Sequence, residues 1–154
     1  MHTFDQLGLN EIMVSSVNNA GYTTPTPIQV EAIPILLSKK DLLGSAQTGT
    51  GKTAAFAIPI LQQLTESVDH VQKRKIRALV LAPTRELVTQ IAENFTTYSK
   101  LIGIKNTTIY GGVSQRKQED AIRKGVDVVI ATPGRLMDLM RQKIVSLDSV
   151  KNLD

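Results

Sequence analysis

The chain has 154 residues and 42% hydrophobic content, enough to bury a real core as one domain, and no apolar run approaches membrane-spanning length. The N-terminus MHTFDQLGLNE lacks the basic-then-apolar pattern of a signal segment, and the absence of cysteine excludes disulfides and thiolate metal sites, which fits a reducing, cytoplasmic home. A net charge of +4 suits a polyanionic partner without establishing one, whereas 4% aromatic content with no Trp argues against a base-stacking platform.

From Asn10 to Ala20, apolar Ile12, Met13 and Val17 recur at helical spacing, and Gly21 is the stop. In the following Gly21-Tyr22-Thr23-Thr24-Pro25-Thr26-Pro27-Ile28-Gln29, Thr26 suits an N-cap and Pro27 the first helical position. Gln29 falls where a capping-box partner belongs, so local spacing gives it a structural role. Pro34 and Pro59 lie inside helical patterns and are expected to kink or end them.

The short apolar run Asp41 to Ser45 leads into Ala46-Gln47-Thr48-Gly49-Thr50-Gly51-Lys52-Thr53, and helix formers follow from Ala54 to Leu64. Strand, glycine loop and helix in this order make a phosphate-binding loop. Gly49 and Gly51 permit backbone angles that let consecutive N–H groups converge on phosphate oxygens at a helix N-terminus. Lys52 would reach the β- and γ-phosphates of a nucleotide, and the Thr53 hydroxyl would ligate Mg²⁺. A G-x-G-K-[S/T] string arises by chance in on the order of one in a few hundred chains of this length. A lysine in a helix's first turn also faces the positive end of the macrodipole unless an anion lies between. Ala46 stands where the generic pattern has its first glycine, at the entry turn.

Ser67 to Lys75 reads as a charged surface loop, and neither His2 nor His70 is spaced as a ligand pair. Arg77 to Ala82 is a buried-type strand followed by Pro83-Thr84-Arg85-Glu86-Leu87 and a helix with Leu87, Ile91, Phe95 and Tyr98 on one face. Asn106 to Tyr110 is strand-like and ends in Gly111-Gly112, after which Ser114 caps a charged helix that stops at Gly125. Val126 to Ala131 is another buried strand, and Thr132-Pro133-Gly134-Arg135 opens a helix with Leu136, Leu139 and Met140. Strands alternating with helices indicate an α/β fold, a mostly parallel sheet flanked by helices, with ligands gathered beyond the carboxyl ends of the strands. Thr84 and Thr132, each with a nearby arginine, and the glycine pair are phosphate-friendly turns on that edge. Singly each is an ordinary turn, but together they suggest a sugar-phosphate backbone as a second ligand.

These residues together resemble the first RecA-like domain of DEAD-box ATP-dependent RNA helicases, most like a bacterial member, over essentially the whole of residues 1–154. Phe4 and the segment from Gly21 to Gln29 resemble the Q motif (4–29), and Ala46 to Thr53 matches motif I (46–53), whose family form itself begins with alanine. Pro83 to Leu87 resembles motif Ia (83–87), Gly111-Gly112 (111–112) the glycine pair, and Thr132 to Arg135 motif Ib (132–135). The resemblance implies that Gln29 reads the adenine edge of ATP and Phe4 packs on its ring, while Gln29 also caps its helix. It implies that Pro83, Thr84, Arg85, Gly111, Gly112, Thr132, Pro133, Gly134 and Arg135 hold single-stranded RNA by its backbone, independent of sequence.

The 154 residues contain no Asp-Glu-Ala-Asp box, and Asp127 starts its strand away from the ligand edge. The Mg²⁺ site and the placement of attacking water are then incomplete, so this polypeptide is expected to bind without turnover. The resemblance also implies that the C-terminal part of the same protein is missing and the sheet incomplete at that end. Two strand edges would be left unpaired, a setting for self-association. A non-catalytic nucleotide and RNA-binding module is the alternative description. A GTPase or small-molecule kinase is disfavoured, since no Asn-Lys-x-Asp guanine reader is present and three turns would go unexplained.

Overall fold

The computed structural model describes residues 3–38, 51–66, 75–148 and 150, and the backbone of 152–153. The expected strand Asp41 to Ser45, the loop residues Ala46 to Thr50 and most of the polar stretch after Ser67 lie outside the described residues. The chain divides into two compact units, Met1–Val68 with Thr97–Gly103, and Asp69–Thr96 with Ile104–Asp154.

The first unit is helical. A short turn, Phe4–Gln6, precedes α1 (Glu11–Asn19), α2 (Pro27–Leu37) and α3 (Lys52–Glu66). Asn10 caps α1, its side chain accepting from the Met13 N–H at 3.0 Å. Met13 and Val17 are fully buried, but Ile12 is 45% exposed, because the helix turns it one position off the apolar stripe. α2 packs on α3, and α1 on α3 and the N-terminal turn. Of the two outcomes expected at Pro34 and Pro59, kinking or ending, ending does not occur, since the helices continue to Leu37 and Glu66. Each proline removes one backbone donor, but Ile33 beside Pro34 and Ile58, Ile60 and Leu61 around Pro59 are buried, and packing outweighs the lost bond.

Tyr98, 3% exposed, stacks obliquely on Tyr22 with ring centroids 5.9 Å apart. Burial of its phenol, with the Tyr22 phenol adding to it, pushes the Tyr98 pKa from the ordinary 10.0 up to about 12.

The second unit is built on β1 (Ala78–Leu81), β2 (Asn106–Ile109), β3 (Val128–Ala131) and β4 (Asn152–Leu153), in the order β2-β3-β1-β4. Every pairing is parallel. β3 is buried at all its positions, as the inner strand of a sheet covered on both faces must be. One apolar cluster joins Leu79, Ile109, Val129 and Ala131 to Leu136 and Leu139 of α6 (Pro133–Arg141). α4 (Arg85–Tyr98) and α5 (Gln115–Lys124) complete the alternation. Gly125, at φ +96°, ends α5 in a conformation that only glycine adopts without strain. Two apolar assignments are corrected. Leu87 is 38% exposed while Val88 is fully buried, and Met140 is 39% exposed, because the buried stripes run one residue away from them.

The outer edge of β1 is half covered. β4 pairs with Ala78 and Leu79, and among the described residues no strand pairs with Val80 and Leu81 on that side. At the amino ends of the strands, Asp127 is 2% exposed and binds Arg77 Nη2 at 2.9 Å, while its Oδ2 accepts from the Lys105 N–H at 3.0 Å. The carboxylate thus ties together the residues that lead into all three long strands.

Two outcomes follow from these contacts. Asp127→Ala removes the ion pair to Arg77 and the acceptor of the Lys105 N–H, and chemical denaturation is expected to show a loss of about 3 kcal/mol, with Asp127→Asn losing less because it keeps an acceptor. The raised Tyr98 pKa means that the fold favours the protonated phenol. Its contribution is complete below pH 10 and is lost as pH rises towards about 12, so Tyr98→Phe should flatten the decline of stability across that window.

Candidate functional site

In the first unit the site is the entry to α3. Gly51 has φ +82°, and its carbonyl accepts from the Ala55 N–H at 3.1 Å, making Gly51 the residue from which the helix starts. Lys52 is exposed and Thr53 half-buried, and the first turn carries no acidic residue. Helix geometry leaves the N–H groups of Lys52, Thr53 and Ala54 without helical partners, pointing out beside an ammonium group and a hydroxyl. That is an anion-binding terminus.

Gln29 meets this entry directly. Its Oε1 accepts from the Thr26 N–H at 3.0 Å, the reciprocal half of a capping box, and its Nε2 donates to the Gly51 carbonyl at 3.2 Å. Thr26 Oγ1 is buried and has no partner among the described residues, so the box is not closed from the threonine side. A Cβ on Gly51 would stand 2.3 Å from Gln29 Nε2 and 3.0 Å from Thr26 Oγ1, so any side chain there must displace the Gln29 amide. The residue expected from spacing to cap its helix therefore also holds the carbonyl from which α3 starts.

Phe4 is 3% exposed in the N-terminal turn. Gln62, with no signal in the sequence beyond its place in a helix, fastens that segment to α3. It is 5% exposed, accepts from the Asn10 N–H at 2.8 Å and donates to the Gly8 carbonyl at 3.3 Å. A polar residue in an amphipathic pattern reads as surface, and only long-range pairing shows otherwise.

In the second unit, the parallel register aligns Leu81, Ala131 and Ile109, so the turns that follow them share one edge. The Ala82 N–H donates to the Ala131 carbonyl at 3.0 Å and the Thr132 N–H to the Ile109 carbonyl at 2.9 Å, extending the alignment into the turns. Thr84 Oγ1 accepts from the Leu87 N–H at 3.2 Å and caps α4. Thr132 and Ser114 occupy N-cap positions without a side-chain capping bond. Pro133 and Gly134 are exposed in the first turn of α6, and Pro83 beside Thr84 is exposed too.

Gly111 and Gly112 lie between two guanidinium groups. A Cβ on Gly112 would be 3.4 Å from Arg85 Nη1, and one on Gly111 would be 4.0 Å from Arg135 Nη2. Arg135 Nη1 makes a long bond of 3.5 Å to the Val113 carbonyl. Gly112 has φ +83°, which together with its neighbour's proximity requires glycine. Sequence reasoning had no means to find Tyr110 and Gln118, which support this turn: Gln118 Nε2 donates to the Tyr110 carbonyl at 2.8 Å and Arg85 lies over the Tyr110 ring. Bare main chain flanked by two cations is shaped for phosphates rather than for base edges.

The model of the DEAD/DEAH box helicase family matches residues 26–153, which span both the braced loop and the three turns. The chain belongs to the DEAD/DEAH box helicase family. It is 44% identical over 152 residues to "ATP-dependent RNA helicase DeaD" of Buchnera aphidicola subsp. Baizongia pistaciae, covering 98% of this chain and 24% of that protein. It is 45% identical over 152 residues to the protein of the same name from Buchnera aphidicola subsp. Acyrthosiphon pisum, with the same coverage. It is 40% identical over 150 residues to "DEAD-box ATP-dependent RNA helicase CshA" of Streptococcus pneumoniae serotype 4, covering 97% of this chain and 28% of that one. The chain thus spans about a quarter of the length of these curated relatives.

Among the residues of this DEAD/DEAH box chain, Gly51 permits the sharpest test. Gly51→Ala must strain its backbone and displace the Gln29 amide, so thermal melting should show a loss of about 2–4 kcal/mol and nucleotide affinity should fall with it.

Proposed function

We propose that this chain is the ATP-binding and RNA-backbone-binding part of an ATP-dependent RNA helicase, a protein that couples ATP hydrolysis to the separation of RNA strands. The observation that carries the reading is the start of α3, where Gln29 braces Gly51 and the first turn presents unpaired N–H groups, Lys52 and Thr53. ATP suits that cradle, since its phosphates supply the anion that a lysine at a helix N-terminus lacks. The full motif I, Ala46, Gln47, Thr48, Gly49, Thr50, Gly51, Lys52 and Thr53, would wrap the phosphates. Gln29 has one Nε2 proton and one Oε1 lone pair beyond those it uses, enough for adenine, and Phe4 would pack on the ring. Thr53 Oγ1 would be one ligand to Mg²⁺, which would supply charge neutralisation for phosphoryl transfer.

The RNA arm of the proposal rests on Pro83, Thr84, Arg85, Gly111, Gly112, Thr132, Pro133, Gly134 and Arg135. Single-stranded RNA held by its phosphates explains why two arginines flank a glycine turn, and the names of the relatives agree with it. The open edge at Val80 and Leu81 would accept a strand from the rest of the protein or from a second copy. A cysteine-free chain suits the cytoplasm.

Among the described residues no cluster of three or more His, Cys, Asp or Glu side chains is placed to hold a metal, and the 154 residues contain no Asp-Glu-Ala-Asp string. In the reading proposed here, a polypeptide of these residues alone binds ATP and RNA without turnover. Calorimetry with Mg²⁺ and ATP should give saturable heat that Lys52→Ala abolishes and that GTP does not compete away. With RNA added, phosphate release should not exceed that of the Lys52→Ala control, and equal ATP binding by both proteins would overturn the nucleotide reading.

A further inference from the structure

The turn after β2 carries an aromatic ring that the phosphate-binding pattern leaves unassigned. Tyr110 is half-buried, and the guanidinium carbon of Arg85 lies over its ring, 5.4 Å from the centroid. That is within the range in which a cation is attracted to an aromatic face. Gln118, 6% exposed, donates to the Tyr110 carbonyl at 2.8 Å and so fixes the backbone of the same residue. Gln118 Oε1 is buried with no partner among the described residues, so the contact with Tyr110 is what this amide supplies. One step along the chain, Gly112 leaves Arg85 Nη1 room that a Cβ would contest at 3.4 Å.

The side-chain N–H groups of Arg85 make no hydrogen bond or ion pair among the described residues. A guanidinium steered by a ring keeps those donors available to fork a phosphate, and part of the entropy of fixing a long side chain is lost before the ligand arrives. A packing role for Tyr110 would need only bulk at that position, whereas steering a cation needs the π face.

We infer that Tyr110 is a positioning residue of the RNA-backbone site, its ring holding Arg85 beside the Gly111-Gly112 turn in readiness for a phosphate; this rests on the RNA reading proposed above. Ring and glycine turn move as one piece because Gln118 anchors the residue that joins them.

The test measures affinity of the protein for a fluorescein-labelled single-stranded oligouridylate over a range of salt concentrations. It compares the parent with Arg85→Ala, Tyr110→Phe, Tyr110→Leu and the double variant, with melting curves for each. Arg85→Ala should weaken binding and make the log–log salt slope shallower by about 0.7, the value of one phosphate contact on a single strand. Tyr110→Leu should weaken binding about 2- to 5-fold with the slope retained, because the arginine still reaches its phosphate but is no longer held for it. Tyr110→Phe should bind as the parent does, and Tyr110→Leu should add nothing once Arg85 is alanine. Should the leucine variant melt prematurely, Tyr110→Met takes its place. Losses that simply add, or a leucine variant that binds like the parent, overturn the positioning role while the RNA site stands. An Arg85→Ala variant unchanged in both affinity and slope removes the RNA reading of this turn and the inference with it.

Discussion

The parallel register of β2, β3 and β1 governs the whole second unit. A slip of one residue would send every buried side chain of a strand to the opposite face, and it would also separate the turns at the carboxyl ends. Asp127 works against such a slip at the other end, since its two oxygens engage Arg77 and the Lys105 main chain at the same level. A carboxylate taken out of water is tolerated only with partners, so burial and alignment are secured by the same contacts. The alignment of the turns at one edge is therefore supported by an ion pair at the opposite edge, four strand positions away.

In the first unit the comparable constraint is the joint between Gln29 and Gly51. One amide closes half of a capping box for α2 and holds the carbonyl from which α3 starts. The same side chain thus links the start of α2 to the first turn of α3, where Lys52 and Thr53 stand. The choice between a structural and a ligand-reading glutamine is therefore not exclusive, because an amide has more donors and acceptors than either role consumes.

The strands after Arg77, Lys105 and Gly125 were legible because unbroken β-branched and apolar runs between turn residues have few other solutions. The same holds for Pro27 at the first position of α2 and for Gly125 ending α5. At Pro34 and Pro59 a local rule about a missing N–H leaves kinking and ending both open, and the apolar surface that the surrounding helix buries decides against ending. Leu87 and Met140 belong to apolar helix patterns yet are exposed in the structure. Neighbouring residues a turn-fraction apart compete for one stripe, and hydrophobicity does not say which of them faces in.

By itself the sequence determined the alternation of strands and helices and the start of a helix after Gly51, since these follow from local backbone freedom and the periodicity of apolar groups. Only the tertiary structure decided that Gln29 braces Gly51, that Gln62 secures the segment carrying Phe4, and that Tyr110 and Gln118 stand behind Arg85. Those pairings join residues 22, 52 or 54, 8 and 25 positions apart, and contacts across such separations arise from packing, which no short window of sequence contains.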